Sequence, residues 1–162
     1  MSYFFLPQDY DRLLIRRQEL ARYYQQIKSG LAEDASQSSE TWHDNYIFEQ
    51  AMRDLDLYGK RLSELDELIG QAEIIYPADN SASVAIGSRV ELIDEQETKT
   101  VFKIGSYNSG GRPEHAEHEK DGIVIVAYNS PLGQKLLRRR LGEELQLFLA
   151  GAVKKYRIKA ID

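Results

Sequence analysis

The chain contains 162 residues, enough for one ordinary domain or two small ones, and 42% of them are hydrophobic. It has no cysteine, which excludes disulfides, thiolate zinc sites and a cysteine nucleophile. No apolar run approaches the roughly 18 residues of a membrane helix, and the opening residues lack the basic flank of a signal peptide, so we expect a cytoplasmic protein without membrane contact. Residues 1–80 carry 8 Lys and Arg against 15 Asp and Glu, which argues against direct binding of a nucleic-acid backbone.

The first half of the chain has the apolar spacing of helices. Pro7 and Asp9 are suited to a helix start, and a stripe spaced mostly by threes and fours follows, with Arg17 interrupting it. The second stripe alternates threes and fours over more than three heptads, which predicts a helix from about Asp44 to Glu73. Its members are Phe48, Ala51, Leu55, Tyr58, Leu62, Leu65, Ile69 and Ala72.

Residues 32–40 are small, polar and non-periodic, so they are predicted to form the connection between the two helices. Two heptad helices joined by a short polar segment are expected to fold back as an antiparallel coiled-coil hairpin. The alternative is separate packing in a globular bundle. Neither stripe has the second apolar face that a bundle would require, which favours the hairpin.

A break at residues 76–81 predicts a domain boundary, with a hairpin domain at 1–76 and a second domain at 82–162. Beyond the break the apolar period changes to two, which is typical of strands. Ser130 followed by Pro131 is suited to a helix start, with Ser as the cap. The second domain is therefore predicted to be a small, mostly antiparallel sheet with one short helix. The expected strands are 89–93, 99–105, 123–127, 145–149 and 154–161.

An acidic cluster that includes Glu40 and Asp44 lies where the long second helix begins. Carboxylate oxygens at this tip are suited to Mg²⁺, which commonly takes one or two protein carboxylates. The alternative is a capping box, in which Thr41 caps the helix and Asp44 reaches back to it. The two roles are compatible, since a cap also places its carboxylate at the tip.

Three other motifs have simpler interpretations. His115 and His118 lie three apart beside carboxylates, but a predicted loop without a third ligand favours solvated surface over a metal site. The run Arg138–Arg140 is suited to an acidic partner or nucleic acid, although such runs are usually solvated with one member paired. Gly110-Gly111 lacks the strand and helix that flank a phosphate-binding loop, so a turn is expected.

In the order of its parts the chain resembles the Gre family of bacterial transcription elongation factors, also called transcript cleavage factors. Asp44-Asn45 ahead of an aromatic and alanine-rich helix is similar to the family's Glu-Asn tip. The segment from Asn129-Ser130-Pro131 to Leu141-Gly142-Glu143-Glu144 is similar to the family's Ser-Pro helix and the turn that follows it. The resemblance implies an α+β fold in which a coiled-coil hairpin precedes a small FKBP-like sheet domain.

The resemblance further implies an accessory factor of bacterial RNA polymerase and not an independent enzyme. The hairpin of such factors enters the polymerase's secondary channel, where tip carboxylates, here Asp44 and Glu40, help to hold a second Mg²⁺. That ion activates water to cut backtracked RNA, so RNA and DNA are met only within the polymerase complex. Asn45 at the tip, and Ser130 and Pro131 on the sheet domain, are the expected contacts with the polymerase.

One departure from the family pattern affects this interpretation. The family tip normally reads Asp-x-x-Glu-Asn, whereas Thr41 replaces its first acid and Asp44 its second. Two alternatives to cleavage therefore stay open: a factor that occupies the channel and inhibits or regulates the polymerase, and a prolyl isomerase carried on a coiled-coil arm. The aromatics available for an isomerase pocket are Phe102, Tyr107, Tyr128, Phe148 and Tyr156. A plain coiled-coil adaptor is a third option.

Overall fold

The structure, a computed structural model, describes residues 2–37, 45–77, 82–109, 122–149 and 151–162. It divides into two compact units. The first comprises Tyr10–Ala72, and the second combines Tyr3–Asp9 with Glu73–Asp162. Within the described ranges, no helix is both long and apolar enough to cross a membrane.

Two long helices dominate the first unit. Helix α1 spans Pro7–Gln37 and begins with a proline, whose missing N–H is not needed in the first helical turn. Helix α2 spans Asn45–Gly70 and ends at a glycine, a residue that readily terminates helices. Most helical stability in proteins comes from the packing of an amphipathic face, so we expect contact between the apolar faces of these helices to stabilise both.

Contacts between the two helices show that they run antiparallel, as the heptad pattern predicts. The Arg17 guanidinium reaches Asp66 near one end of the pair, with Nε 2.8 Å from Oδ1. Further along, the rings of Tyr23 and Tyr58 meet edge to face with centroids 4.8 Å apart. As the residue number rises along α1, the number of the contacted residue on α2 falls. The two helices therefore run in opposite directions.

Both ends of the predicted helical region need correction. The connecting segment predicted at 32–40 is helical through Gln37, because its alanines, glutamate and glutamine are adequate helix formers that extend α1. The second helix, predicted to reach Glu73, ends at Gly70, and Ala72–Ile74 form strand β2 instead. Gly70 has a high helix cost and is followed by the β-favouring pair Ile74-Ile75, which explains the change.

The second unit contains a five-stranded sheet with the order β5-β4-β3-β7-β6. Three of its four strand pairs are antiparallel, as the prediction of a mostly antiparallel sheet requires, whereas β4 and β5 are parallel, so the sheet is mixed. The 18 residues between these two strands provide the long connection that a parallel pair requires. The strands are β3 Arg89–Asp94, β4 Lys99–Gly105, β5 Val124–Ala127, β6 Glu144–Leu149 and β7 Ala152–Ile161.

The core lies on one face of this sheet, where period-two alternation places the apolar side chains. Val90 and Leu92 of β3 are fully buried, and their strand neighbours Phe102 and Ile158 are nearly so. A short helix, α3 (Pro131–Leu136), adds Leu136 to the same cluster. The structure therefore agrees with the sequence on the period-two alternation of the strands and on the short helix that begins at Pro131.

A short N-terminal strand, β1 (Tyr3–Phe5), belongs to the second unit and pairs with β2. Phe5 and Leu6 are buried, and the Leu6 amide donates to the buried Ser106 hydroxyl at 2.8 Å. That hydroxyl in turn donates to Asp9 at 2.5 Å. The structure thus divides the chain differently at its N-terminal end from the predicted domains 1–76 and 82–162, because these first residues complete the sheet unit.

Candidate functional site

The clearest site in the described residues is the corner between β5 and α3, which we call the Ser-Pro corner (residues 128–133). Ser130 caps the helix with extended backbone angles, φ −75° and ψ 158°, and Pro131 follows at the first helical position. The Ser130 hydroxyl accepts from the Gly133 amide at 3.0 Å and donates to the Ala127 carbonyl at 2.8 Å. The predicted cap is confirmed, and the hydroxyl's single O–H is donated within the chain.

Gly133 explains why the helix lies so close to the strand. It is buried, and a Cβ at this position would overlap the carbonyl oxygen of Ala127. Only glycine lets the first turn of α3 approach the end of β5 this closely. The spacing Ser-Pro-x-Gly is therefore a structural requirement of the corner: the first residue caps, the second starts the helix, and the fourth permits contact.

The corner is held by contacts that the sequence pattern does not predict. The Asn129 side chain pairs with Asn108: its Oδ1 accepts from the Asn108 amide at 3.1 Å, and its Nδ2 donates to the Asn108 Oδ1 at 3.0 Å. The Tyr128 hydroxyl accepts from the Phe4 amide at 3.3 Å, and the two rings lie 5.7 Å apart. Asn129 lies within the Asn-Ser-Pro motif, but its partner Asn108 lies 21 residues earlier in the sequence, so the pair is recognisable only from the fold.

Part of the Ser-Pro corner is accessible to solvent. Pro131 is exposed and Ser130 is half-buried. A rigid backbone that displays an exposed proline is suited to contact with another protein, because little conformational entropy is lost on binding. The two predicted contact residues therefore lie together at an accessible, preorganised place.

The predicted metal residues at the hairpin tip, Glu40 and Asp44, lie outside the described residues, as does Thr41. Asn45 begins α2, so the helix starts where the sequence places it, within one residue. Within the described ranges, no group of three His, Asp or Glu side chains is arranged to hold a metal. The Mg²⁺ assignment therefore stays a prediction. His115, His118 and Gly110-Gly111 also fall outside these ranges.

Side chains just beyond the tip are unusually exposed for apolar residues. Tyr46 is 71% exposed and Ile47 63%, with Phe48 and Met52 close to half exposed. Further along the same helix, Leu55, Tyr58 and Leu62 are half-buried between the two helices. Apolar side chains are thus exposed at the start of α2, whereas those of the seam further along the helix are half-buried.

The aromatics considered for an isomerase pocket are dispersed. Phe102 and Tyr156 lie in the core, and Phe148 is 67% exposed on the sheet surface. Tyr107 and Tyr128 pack against the aromatic side chains of β1. Within the described part of the sheet unit, these five rings form no shared pocket, so the arrangement does not favour a prolyl isomerase.

The arginine run after α3 is exposed, with one member in an ion pair, as its sequence predicts. Arg139 Nη1 lies 3.1 Å from Glu143 Oε2. Hydrogen bonds from Arg139 and from the Arg140 amide hold the pKa of Glu143 below its ordinary value, although desolvation opposes them. Arg138 has a left-handed backbone, with φ +64°.

The chain consists of a helix pair followed by a mixed sheet that carries the Ser-Pro corner. This is the two-unit architecture expected of Gre factors. Residues 79–162 match the family model described as transcription elongation factor, GreA/GreB, C-terminal. The chain therefore belongs to the GreA/GreB family of transcription elongation factors.

Individual relatives agree with this assignment. The chain is 33% identical over 107 residues to transcription elongation factor GreA of Nautilia profundicola, covering 63% of this chain and 59% of the relative. It is 28% identical over 138 residues to GreA of Syntrophobacter fumaroxidans, covering 85% and 83%. The chain thus spans about three fifths of the first of these relatives. The crystal structure of GreA factor homolog 1 from Thermus thermophilus is similar over 100% of this chain and 99% of its own, with 21% identity and a TM-score of 0.44.

Proposed function

We propose that this protein binds bacterial RNA polymerase, inserts its helix pair into the secondary channel and stimulates cleavage of backtracked RNA. The observation that carries the proposal is the GreA/GreB family match over 79–162, on a sheet unit that displays the Ser-Pro corner. The protein acts as an accessory factor in the cytoplasm, and the bond is cut in the polymerase's own active site.

In this proposal the tip of the helix pair supplies carboxylates to a metal ion shared with the polymerase. Asp44 and Glu40 are the residues that would hold Mg²⁺, whose chemistry is to activate water and to stabilise the oxygens of the reacting phosphate. Asn45 orients the tip against the polymerase. The acidic first half of the chain is compatible with this role because the ion would supply the positive charge that Asp44 and Glu40 bind.

Docking is assigned to the Ser-Pro corner. Since the Ser130 hydroxyl is engaged by Gly133 and Ala127, its contribution is to hold the shape of the corner, and exposed Pro131 makes the contact. This division of roles follows from the hydrogen bonds, because a hydroxyl that already donates its single O–H has only its remaining lone pair to offer a partner.

Thr41 gives a second candidate function, a factor that occupies the channel without stimulating cleavage. Replacing one of two acids by threonine removes a charged oxygen ligand from the tip and weakens any metal site there. Such a protein still docks, and it competes with other channel ligands instead of rescuing stalled complexes.

One experiment separates the two candidates. Purified protein is added to RNA polymerase complexes stalled in a backtracked state, and both binding and the rate of RNA shortening are measured. Binding with faster shortening is expected. Binding with no change or with slower elongation would favour the inhibitor, and the absence of binding would contradict both candidates.

A further inference from the structure

The surface around the exit of α3 carries an excess of positive charge. Between Pro131 and Glu143 the chain has four basic residues and one acidic residue. Glu143 is engaged by Arg139, and the next carboxylate, Glu144, is engaged by Arg157 at 2.7 Å. We call the remaining exposed side chains the basic patch. Its members are Lys135, Arg138, Arg140 and Leu141.

Two of these cations have no ion pair within the described residues, Lys135 and Arg138. Both are exposed, and both lie within eight positions of Ser130 in sequence. Leu141, which follows the arginine run, is 63% exposed. The patch thus combines cations that have no ion pair among the described residues with an apolar side chain, close in sequence to the proposed docking corner.

Arg138 occupies a backbone position that its side chain does not favour. Its φ of +64° lies in the left-handed region, where glycine is free of strain and arginine is not. Its amide donates to the Val84 carbonyl at 2.8 Å, and Val84 in turn donates to the Arg139 carbonyl at 2.8 Å, so the surrounding structure enforces the conformation. A strained, exposed arginine at this position points to a function for its charge.

We propose that the basic patch binds an acidic protein segment that includes an apolar side chain, on the surface of the polymerase. The inference rests on the proposed function and extends its contact from the Ser-Pro corner to the exit of α3. Exposed cations attract carboxylates, and Leu141, next to the arginine run in sequence, offers an apolar contact.

A protein segment fits this patch better than nucleic acid. Phosphate-backbone binding relies on many cations, commonly about six to ten contacts, and gains nothing from an exposed leucine. The net charge of the chain is −5, which opposes the approach of a polyanion as a whole. A small basic patch around an apolar side chain is the complement of a short acidic segment of a protein.

The test measures the affinity of the fluorescently labelled full chain for RNA polymerase. Arg138→Gln keeps the strained backbone and removes the charge, whereas Arg138→Gly removes both. Each change, and Lys135→Gln, is expected to weaken binding about two- to fivefold in about 0.1 M salt. The difference is expected to shrink in about 0.5 M salt, because screening reduces attraction between exposed charges.

The controls keep the outcome unambiguous. Lys155→Gln removes an exposed cation on β7, outside the patch, and is expected to bind like wild type. Arg138→Gly is expected to melt at a higher temperature than wild type, so its loss of affinity cannot come from unfolding. Equal binding by wild type and all patch variants would overturn the basic patch and leave the proposed function intact.

Two other outcomes would also overturn the proposal. If the wild type does not bind polymerase at all, the proposed function fails and the patch has no partner. Affinity for a short single-stranded RNA is measured in parallel with the same variants. If RNA binding falls in Arg138→Gly while polymerase binding is unchanged, the patch is a nucleic-acid site and the acidic-segment proposal is wrong.

Discussion

Arg17 and Asp66 form a two-bond ion pair between the helices, 49 residues apart in sequence. Nε lies 2.8 Å from Oδ1 and Nη2 lies 3.2 Å from Oδ2. Arg17 interrupts the apolar stripe of α1, so its stem lies along the seam while its planar head reaches a carboxylate on α2. The fixed fork of the guanidinium makes this pair sensitive to register, since a shift of one residue would break both bonds.

The first prediction concerns the pH dependence of this pair. The hydrogen bond from Arg17 lowers the pKa of Asp66, so the pair stabilises the fold fully above the usual carboxyl pKa of about 4. This contribution is lost as pH falls through the lowered pKa. Asp66→Asn is expected to reduce the thermal midpoint slightly at pH 7, with a smaller difference from wild type at acid pH.

Asp56→Asn is the matched control, because Asp56 pairs with Lys60 four residues along the same helix and has no ion pair to α1 among the described residues. It is expected to change the midpoint less than Asp66→Asn. Midpoints are measured by circular dichroism from neutral to acid pH and at two salt concentrations. Identical profiles for the two variants would mean that the inter-helix pair has no special effect.

The second prediction concerns the seam of the helix pair. Leu62→Asp places a carboxylate at a half-buried seam position and is expected to destabilise the pair by about 2–3 kcal/mol. Leu57→Asp is the control, since Leu57 lies on the same helix but is 43% exposed. Helicity and thermal midpoint are the measurements. A seam variant that melts like the control would show that the stripe does not stabilise the pair.

The third prediction separates capping from docking at Ser130. Ser130→Ala loses the bond from the Gly133 amide and is expected to cost about 1 kcal/mol. Ser130→Thr keeps a hydroxyl that can accept from the Gly133 amide and donate to the Ala127 carbonyl, and it is expected to be nearly as stable as wild type. Pro131→Ala removes the exposed contact. We expect polymerase binding to fall in Pro131→Ala and to be largely retained in Ser130→Thr; the reverse order would exclude Pro131 as the contact.

The fold could be predicted from sequence where the signal is local and periodic. Each of the two helices has one apolar stripe, and packing the two stripes against each other buries both. The heptad spacing therefore predicts the helix pair. In strands β3 and β4 buried residues alternate with more accessible ones over most of their length, so the period of two in the sequence is the pattern in the sheet. Ser130-Pro131 combines two independent start signals within two residues.

Features that depend on distant contacts could not be predicted. Strand β1 has three residues, too few for a period, and its stability comes from β2 and from Tyr107 and Tyr128, over 100 positions away in sequence. The parallel pairing of β4 and β5 is likewise set by chain routing and not by residue type. At the tip, the same carboxylate pattern fits a cap and a metal ligand, and local pattern alone cannot separate them.

The fourth prediction addresses that ambiguity at Asp44. If Asp44 ligates Mg²⁺, Asp44→Asn is expected to reduce stimulated RNA cleavage strongly, with partial recovery at high Mg²⁺. If it only caps α2, the same change costs at most about 1 kcal/mol of stability and leaves cleavage unaffected. Glu40→Gln tests whether the neighbour replaces the acid missing at Thr41.

Thr41→Asp restores the acid of the family tip and is expected to raise cleavage above wild type. The rate of RNA shortening in backtracked complexes is the measurement for all three tip variants. If neither wild type nor Thr41→Asp stimulates cleavage, the metal role of the tip is wrong and the channel-occupying inhibitor stands.

The fifth prediction concerns the N-terminal strand. Phe5 is only 4% exposed, and Phe5→Ala is expected to destabilise the sheet unit by about 3–5 kcal/mol. Tyr76→Ala is the control, because that side chain is 74% exposed. Chemical denaturation followed by near-ultraviolet circular dichroism is the measurement. A loss no larger than that of the control would mean that β1 is not part of the unit's core.

The placement of β1 also sets the order in which the chain can fold as it leaves the ribosome. The Phe4 amide is synthesised before the Tyr128 hydroxyl that it binds, which follows 124 residues later. At a synthesis rate of about 5–20 residues per second, the delay is about 6–25 s. Helices α1 and α2 acquire their contacts well within that time, while Phe5 and Leu6 wait uncovered. Strand β1 is made before its partners and is therefore among the last elements to be fixed, and chaperone contact during synthesis is expected to concentrate there.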